Sequence, residues 1–220
     1  MIIKGIHHIT AIASDAEKTV DFFTGTLGLR LVKKSVNQDD VSTYHLFFGD
    51  RFGHPGMDLT FFIFLPPRLG KRGNGQVTTI SFSVQPFALQ FWIERFDRMG
   101  VTHTGIEEIR GVRRIGFTDM DGLEYELVGV EDATKEIDPA IWTTHEISAE
   151  FAIRSFYSAS LSVPDRALIE PVLTGVFGYE YQETNGSVHT YQLPSEHRAS
   201  HLEVFETPMS ARGVSGAGTV

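Results

Sequence analysis

The chain has 220 residues and a mass of 24.5 kDa, enough for one large domain or two small ones with a sizeable core. Its 19 basic and 28 acidic side chains leave a formal net charge of −9, which argues against non-specific nucleic-acid binding, since that needs a basic face. Cysteine is absent, which excludes disulfides, thiolate metal sites and a cysteine nucleophile, and fits a reducing compartment.

The N-terminus lacks the basic-then-apolar profile of a secretory leader. The longest apolar run, residues 59–67, is far too short to span a bilayer. These features read as a soluble, cytoplasmic protein. The one basic cluster, Arg68, Lys71 and Arg72, lies in a Pro/Gly stretch and reads as a solvated loop.

The first run, Gly5-Ile6-His7-His8-Ile9-Thr10-Ala11-Ile12-Ala13, reads as a strand. Ile6, His8, Thr10 and Ile12 point to one face, and His7, Ile9 and Ala11 to the other. Two readings of the histidines stand. They are an ordinary pair near the N-terminus, or His8 is a metal ligand with His7 as its neighbour, because neutral imidazole is a common ligand for iron and zinc. Ser14 followed by Glu17 forms a capping box and starts a helix. Val20, Phe23 and Leu27 make one apolar helical stripe, and Gly28 stands where the helix end wants a left-handed residue. Strands are expected at 29–36, 43–48 and 59–65, so residues 1–66 form a βαβββ unit.

After a Pro/Gly/basic connector the pattern restarts. A strand at 77–84, a helix at 86–99 stopped by Gly100, and strands at 101–109, 113–118 and 123–130 give a second βαβββ unit over 76–131. Residues 131–150 are polar and read as a linker. A third unit, 151–207, has its first strand at 153–163, a helix at 165–177 and strands at 179–184, 188–193 and 201–205. Pro171 falls mid-helix, so that helix is kinked or begins at the proline. From the residue opening each helix to the stopping glycine is 13 residues (Asp15 to Gly28), 14 (Pro86 to Gly100) and 13 (Asp165 to Gly178). Such repetition means that one unit cannot bury its sheet alone and pairs with another. The fold class is α+β, with tandem βαβββ units building curved mixed sheets. The last stretch, 208–220, is a glycine-rich connector that reads as leading into a fourth unit.

These units resemble the vicinal oxygen chelate superfamily, which includes glyoxalases, bleomycin-resistance proteins and type I extradiol dioxygenases. The runs Gly5 to Ala13, Leu27-Gly28-Leu29-Arg30-Leu31-Val32-Lys33-Lys34 and Thr43-Tyr44-His45-Leu46-Phe47-Phe48-Gly49-Asp50 narrow the resemblance. So do Arg72-Gly73-Asn74-Gly75-Gln76-Val77 and the run from Asp119 to Val128. Together they look like the four-unit ring-cleaving dioxygenases that act on hydroquinones. The resemblance implies a mononuclear non-haem Fe(II), or Mn(II), held by two histidines and one glutamate, with a small aromatic substrate and O₂ as partners. It implies His8 as the first ligand, with His7 and Thr10 beside the site. The second histidine and the glutamate belong to the fourth unit, which this chain does not include.

Within the chain, Thr79 and Ser158 fall opposite His8 and do not replace an imidazole. Glu126 occupies the superfamily's carboxylate position in unit two, and Thr60 is its counterpart in unit one. Glu126 reads as a satisfied polar residue, with a place in a cleft shared with His8 only if units one and two pair directly. In unit three Tyr157 follows Phe156 where relatives carry a histidine, and Glu203 reads as solvent-facing. His45 reads as a packed, hydrogen-bonded histidine, and His54, His103, His145, His189, His197 and His201 as exposed ones. With one ligand of three, strong Fe(II) binding by this chain alone is not expected. Three functions follow: ring-cleaving dioxygenation, a glyoxalase-like metal-dependent isomerase or lyase, and a non-catalytic binding protein of the bleomycin-resistance type. An unpaired third unit would expose apolar sheet, which predicts self-association, with units pairing across a homodimer.

Overall fold

The computed structural model describes residues 3–109, 111–131, 138–194 and 199–220. A strand, a helix and three strands recur three times. The first set is β1 (His8–Ala13), α1 (Ala16–Val20), β2 (Arg30–Val36), β3 (Tyr44–Gly49) and β4 (Asp58–Ile63). The second is β5 (Gln76–Val84), α2 (Ala88–Met99), β6 (Glu107–Ile109), β7 (Val112–Thr118) and β8 (Glu124–Gly129). The third is β9 (Ser155–Val163), α3 (Glu170–Gly175), β10 (Glu180–Asn185), β11 (Val188–Gln192) and β12 (His201–Glu206). The fold is mixed α+β and rich in strands, as the sequence pattern requires. Among the described residues no helix is long and apolar enough to cross a membrane.

Each unit pairs its first and last strands in parallel: β1 with β4, β5 with β8, β9 with β12. A parallel pair needs a long crossover, and the helix with its following hairpin supplies one. The units then combine unequally. β1 to β4 form a four-stranded sheet in the order β1-β4-β3-β2. The other strands form one eight-stranded sheet, β10-β11-β12-β9-β5-β8-β7-β6, because β5 and β9 run antiparallel side by side. The expectation of an unpaired third unit is therefore corrected: unit three is joined to unit two, and the sheet of four strands is the first. The seam is rich in small side chains. Ser81 lies opposite Ser158, and Ser83 opposite Ser155, all of them buried, while Phe82 stacks on Phe156 on the other face.

The helices differ from expectation at their ends. The cap of α1 is Asp15, whose carboxylate accepts from the Lys18 N–H, rather than Ser14. Ser14 is drawn away because its N–H and hydroxyl both donate to Asp121, at 2.8 and 2.5 Å, which ties unit one to the turn before β8. The chain continues from α1 as a π-helical turn over Asp21–Thr26, and Phe23 from that turn fills the core between Phe48, Phe61 and Tyr125. In unit three the long helix is replaced by a 3₁₀ turn, Arg166–Leu168, capped by Asp165, and by the short α3 with Pro171 in its first turn. Proline has no N–H to give, so it starts a helix where it would break one. The expected strand over 101–109 shrinks to β6, with one isolated bridge from His103 to Phe117.

The segment 138–150 is less of a linker than its polarity suggests. Ile141 and Ile147 are buried, and the guanidinium groups of Arg30 and Arg51 both lie against the Trp142 ring, 5.6 and 5.7 Å from its centroid. From α2, the buried Arg95 donates to the carbonyls of Thr26 and Gly25 and to the Glu146 carboxylate. One side chain thus satisfies the loose carbonyls at the end of the π turn. The two glycine-rich connectors bridge each other at Leu69–Ala217, Lys71–Val214 and Asn74–Arg212, and Thr219 bridges Ile12 of β1. Their backbones approach so closely that a Cβ on Gly216 would stand 2.6 Å from the Arg68 carbonyl oxygen.

Candidate active site

β1 alternates as its sequence predicts. Ile9, Ala11 and Ala13 are buried in the core, while His8 is exposed and Thr10 and Ile12 are half-buried on the opposite face. His7 departs from this alternation. Strand pairing begins only at His8, so His7 is exposed rather than turned inward with Ile9. Its carbonyl accepts from the Gly56 N–H, and its ring meets His8 edge-on with centroids 5.3 Å apart. The two Nδ1 atoms lie 3.2 Å apart, which allows one hydrogen bond between them. With His8 as the donor, its Nε2 carries a free lone pair, the tautomer that a metal ligand needs.

The parallel partner β4 sets Asp58 beside His8, Thr60 beside Thr10 and Phe62 beside Ile12. The Thr60 hydroxyl donates to the Thr10 hydroxyl at 2.9 Å. Burial raises the Asp58 carboxyl above its ordinary range, while the nearby His8 and His7 pull it down. On β3, His45 lies opposite Phe62 and Phe47 opposite Thr60. The His45 ring is held between Phe47 and Phe62, at centroid distances of 4.0 and 4.2 Å. Its Nε2 is buried with no hydrogen-bond partner. Burial lowers the His45 pKa, and the charges of Lys33 and His8 lower it further. His45 is packed as expected, but the expected hydrogen bond is lacking at that nitrogen. One face of the first sheet thus gathers His8, Thr10, Asp58, Thr60 and His45 over two phenylalanine rings. Asp58, Phe47 and Phe62 were not read from the sequence as site residues. The signal that finds them is register: only the β1–β4 pairing puts Asp58 next to His8.

Glu126 lies in the other sheet, where it accepts from the Ser81 hydroxyl at 2.8 Å and the Arg114 guanidinium at 2.9 Å. Glu203 is buried rather than solvent-facing. It accepts from Ser160 at 3.2 Å and lies 3.6 Å from Arg114. Arg114 reaches it from β7 of unit two, a contact that exists only because the two units share one sheet. Most of the remaining histidines are also engaged. His189 is buried against Thr184 and Glu206, His201 stacks on Tyr157 and His103 meets Asp97, while His54 is exposed as expected, with its ring against Asp50. His145 is exposed, as expected, and His197 lies outside the described residues. Among the described residues no three histidine, aspartate or glutamate side chains form a group able to hold a metal ion.

The chain matches the Glyoxalase/Bleomycin resistance protein/Dioxygenase superfamily over residues 5–127. A Bacillus subtilis (strain 168) protein named as a ring-cleaving dioxygenase, MhqO, is 37% identical over 216 residues, covering 98% of this chain and 67% of that protein. The chlorohydroquinone/hydroquinone 1,2-dioxygenase of Sphingobium indicum is 29% identical over 209 residues, covering 92% of this chain and 63% of that enzyme. The crystal structure of a Bacillus subtilis protein named as a dioxygenase matches with a TM-score of 0.91 at 36% identity, covering 100% of this chain and 68% of that one. These relatives support a dioxygenase-type function for a chain that spans about two thirds of their length. On the superfamily match and the shared fold, the chain belongs to the glyoxalase/bleomycin resistance protein/dioxygenase superfamily.

Proposed function

We propose that the chain carries the substrate-facing half of a ring-cleaving, extradiol-type dioxygenase for hydroquinone-like aromatics, with Fe(II) or Mn(II) as the metal. The observation that carries this reading is the exposed His8 at the start of β1 with the His7 ring against it, the two Nδ1 atoms 3.2 Å apart, a contact that leaves the His8 Nε2 free to bind when His8 is the donor. The fit to a metal is that of one imidazole in a facial set of three. The other two positions belong to a further βαβββ unit pairing with β1 as β9 pairs with β5. A metal held there by His8 and two further ligands would supply Lewis acidity and proximity between the substrate and O₂. His7 fixes the tautomer and tilt of His8 through the Nδ1 contact and can hold a proton beside the substrate hydroxyl. Thr10, oriented by Thr60, offers a hydroxyl two residues along the same strand. Phe47, Phe62 and the neutral His45 form a tilted aromatic cluster on the same face, against which an aromatic ring can pack.

The test is O₂ uptake with hydroquinone after anaerobic Fe(II) loading, on a form that includes the fourth unit. Uptake that is lost in His8→Ala and lowered in His7→Ala and Thr10→Ala is the expected result. Metal-dependent turnover without O₂ would favour the glyoxalase-like reading. Tight ligand binding without turnover would favour a bleomycin-resistance-type binder.

A further inference from the structure

The first strand and last strand of each unit carry one matched pair of positions. In unit one it is Thr10 with Thr60, in unit two Ser81 with Glu126, and in unit three Ser160 with Glu203. Each pair is joined by a side-chain hydrogen bond, of 2.9, 2.8 and 3.2 Å respectively. The β5–β9 seam then brings the pairs of units two and three together. Two glutamates, each steadied by a serine hydroxyl, converge on one point from opposite sides of the seam. Two carboxylates held this way stay ionised together only with a cation between them; otherwise one takes up a proton. Hard divalent cations fill such oxygen-lined positions.

Here the point is filled by a side chain. Arg114 on β7 is 4% exposed, and its Nη1 stands 2.9 Å from Glu126 and 3.6 Å from Glu203. A cavity of about 330 Å³ beside it is lined by Arg114, Tyr157, His201 and Glu203 among others, so the position adjoins open space rather than solid core. We propose that Arg114 is a built-in cation seated in a latent divalent-metal position between Glu126 and Glu203, and that this one side chain keeps the second sheet from binding metal. The chain then carries two related positions with opposite cation supply: a resident guanidinium in the eight-stranded sheet, and the exposed His8 imidazole in the four-stranded one.

The geometry sets the test. An imidazole plus a metal–nitrogen bond of about 2.1 Å spans nearly the length of an arginine side chain. R114H therefore puts a metal ion near the present Nη1, with Glu126 and Glu203 as its other ligands. The full chain is used in an H8A background, so that sheet one does not contribute. Calorimetric titration with Mn²⁺ and Co²⁺ is expected to show one site in R114H/H8A, tighter than in H8A by about a hundredfold or more. Co²⁺ is expected to give visible absorption, and the melting temperature to rise with added metal. R114K/H8A keeps the charge and is expected to bind as weakly as H8A. Adding E126Q and E203Q to R114H/H8A is expected to abolish the site. Should R114H fold poorly without metal, recovery of far-ultraviolet circular dichroism on adding Mn²⁺ supports the proposal equally. R114M/H8A, which only removes the cation, is expected to gain Mn²⁺-dependent melting. Folded R114H and R114M variants that bind no tighter than H8A overturn the proposal. So do variants that stay unfolded at every metal concentration.

Discussion

Leaving a buried imidazole nitrogen without a partner costs about 1–3 kcal/mol, and His45 does so at Nε2. His45→Phe keeps the stack between Phe47 and Phe62 and removes that atom. It is expected to leave stability unchanged or raise it by about 1 kcal/mol in urea denaturation at pH 7. A clear loss would mean that the nitrogen is used in the folded protein. Asp119 is the second telling residue. Burial pushes its carboxyl up to about 6, against hydrogen bonds from Tyr125, Leu123 and Asp121 that pull it down. Because the folded state holds this proton more tightly than the unfolded chain, its contribution is complete below about pH 4 and lost as pH rises through about 6. The full span is worth about 3 kcal/mol. Asp119→Asn is expected to flatten that part of the stability profile between pH 4 and 7. Equal slopes in the two proteins would contradict the assignment. The sequence marks Asp119 only as part of a turn. There it accepts from the buried Tyr125 hydroxyl, a partner that a turn motif does not encode.

At the scale of elements, glycine positions separate local from tertiary demands. Gly28 and Gly100 both end helical segments at φ +69°. A Cβ on Gly100 would meet open space, whereas one on Gly28 would stand 2.5 Å from Ile147 Cδ1. Gly100→Ala is expected to cost about 1 kcal/mol, from the left-handed backbone alone. Gly28→Ala is expected to cost at least about 1 kcal/mol more, and Ile147→Ala in the same chain should recover part of that difference. Arg95 is expected to matter as much. Arg95→Met strands the Thr26 and Gly25 carbonyls and should lower stability by about 3 kcal/mol in denaturant melts. A drop below about 1 kcal/mol would show that water replaces the guanidinium. Strand positions were largely legible, since alternation such as that of β1 follows from one buried face. The helices were less so. Ser14 looked like a cap because its competing partner, Asp121, lies 107 residues away. The short α3 followed from Pro171, whose two outcomes, kink or start, are alike in sequence.

At the scale of the molecule, three similar units say that pairing occurs and not which pairs form. The pairing of β5 with β9 sets serine against serine and Phe82 against Phe156, neighbours that meet only once the chain has folded. For the same reason the sequence marked Glu203 as solvent-facing and gave Arg114 no role. The shared strand face of His8 and Thr10 was legible from alternation, while their neighbours Asp58, Phe47 and Phe62 waited on register. The seam between β5 and β9 has a kinetic corollary. Ile80 and Ala159 face each other at the centre of an eight-stranded ribbon, flanked on both sides by strands of their own units. Their amides should surrender protium to deuterated solvent last, at the rate of global opening, while those of β1 and β2 exchange earlier through separate breathing of the four-stranded layer. The half that would grip an aromatic molecule is then the half that loosens first.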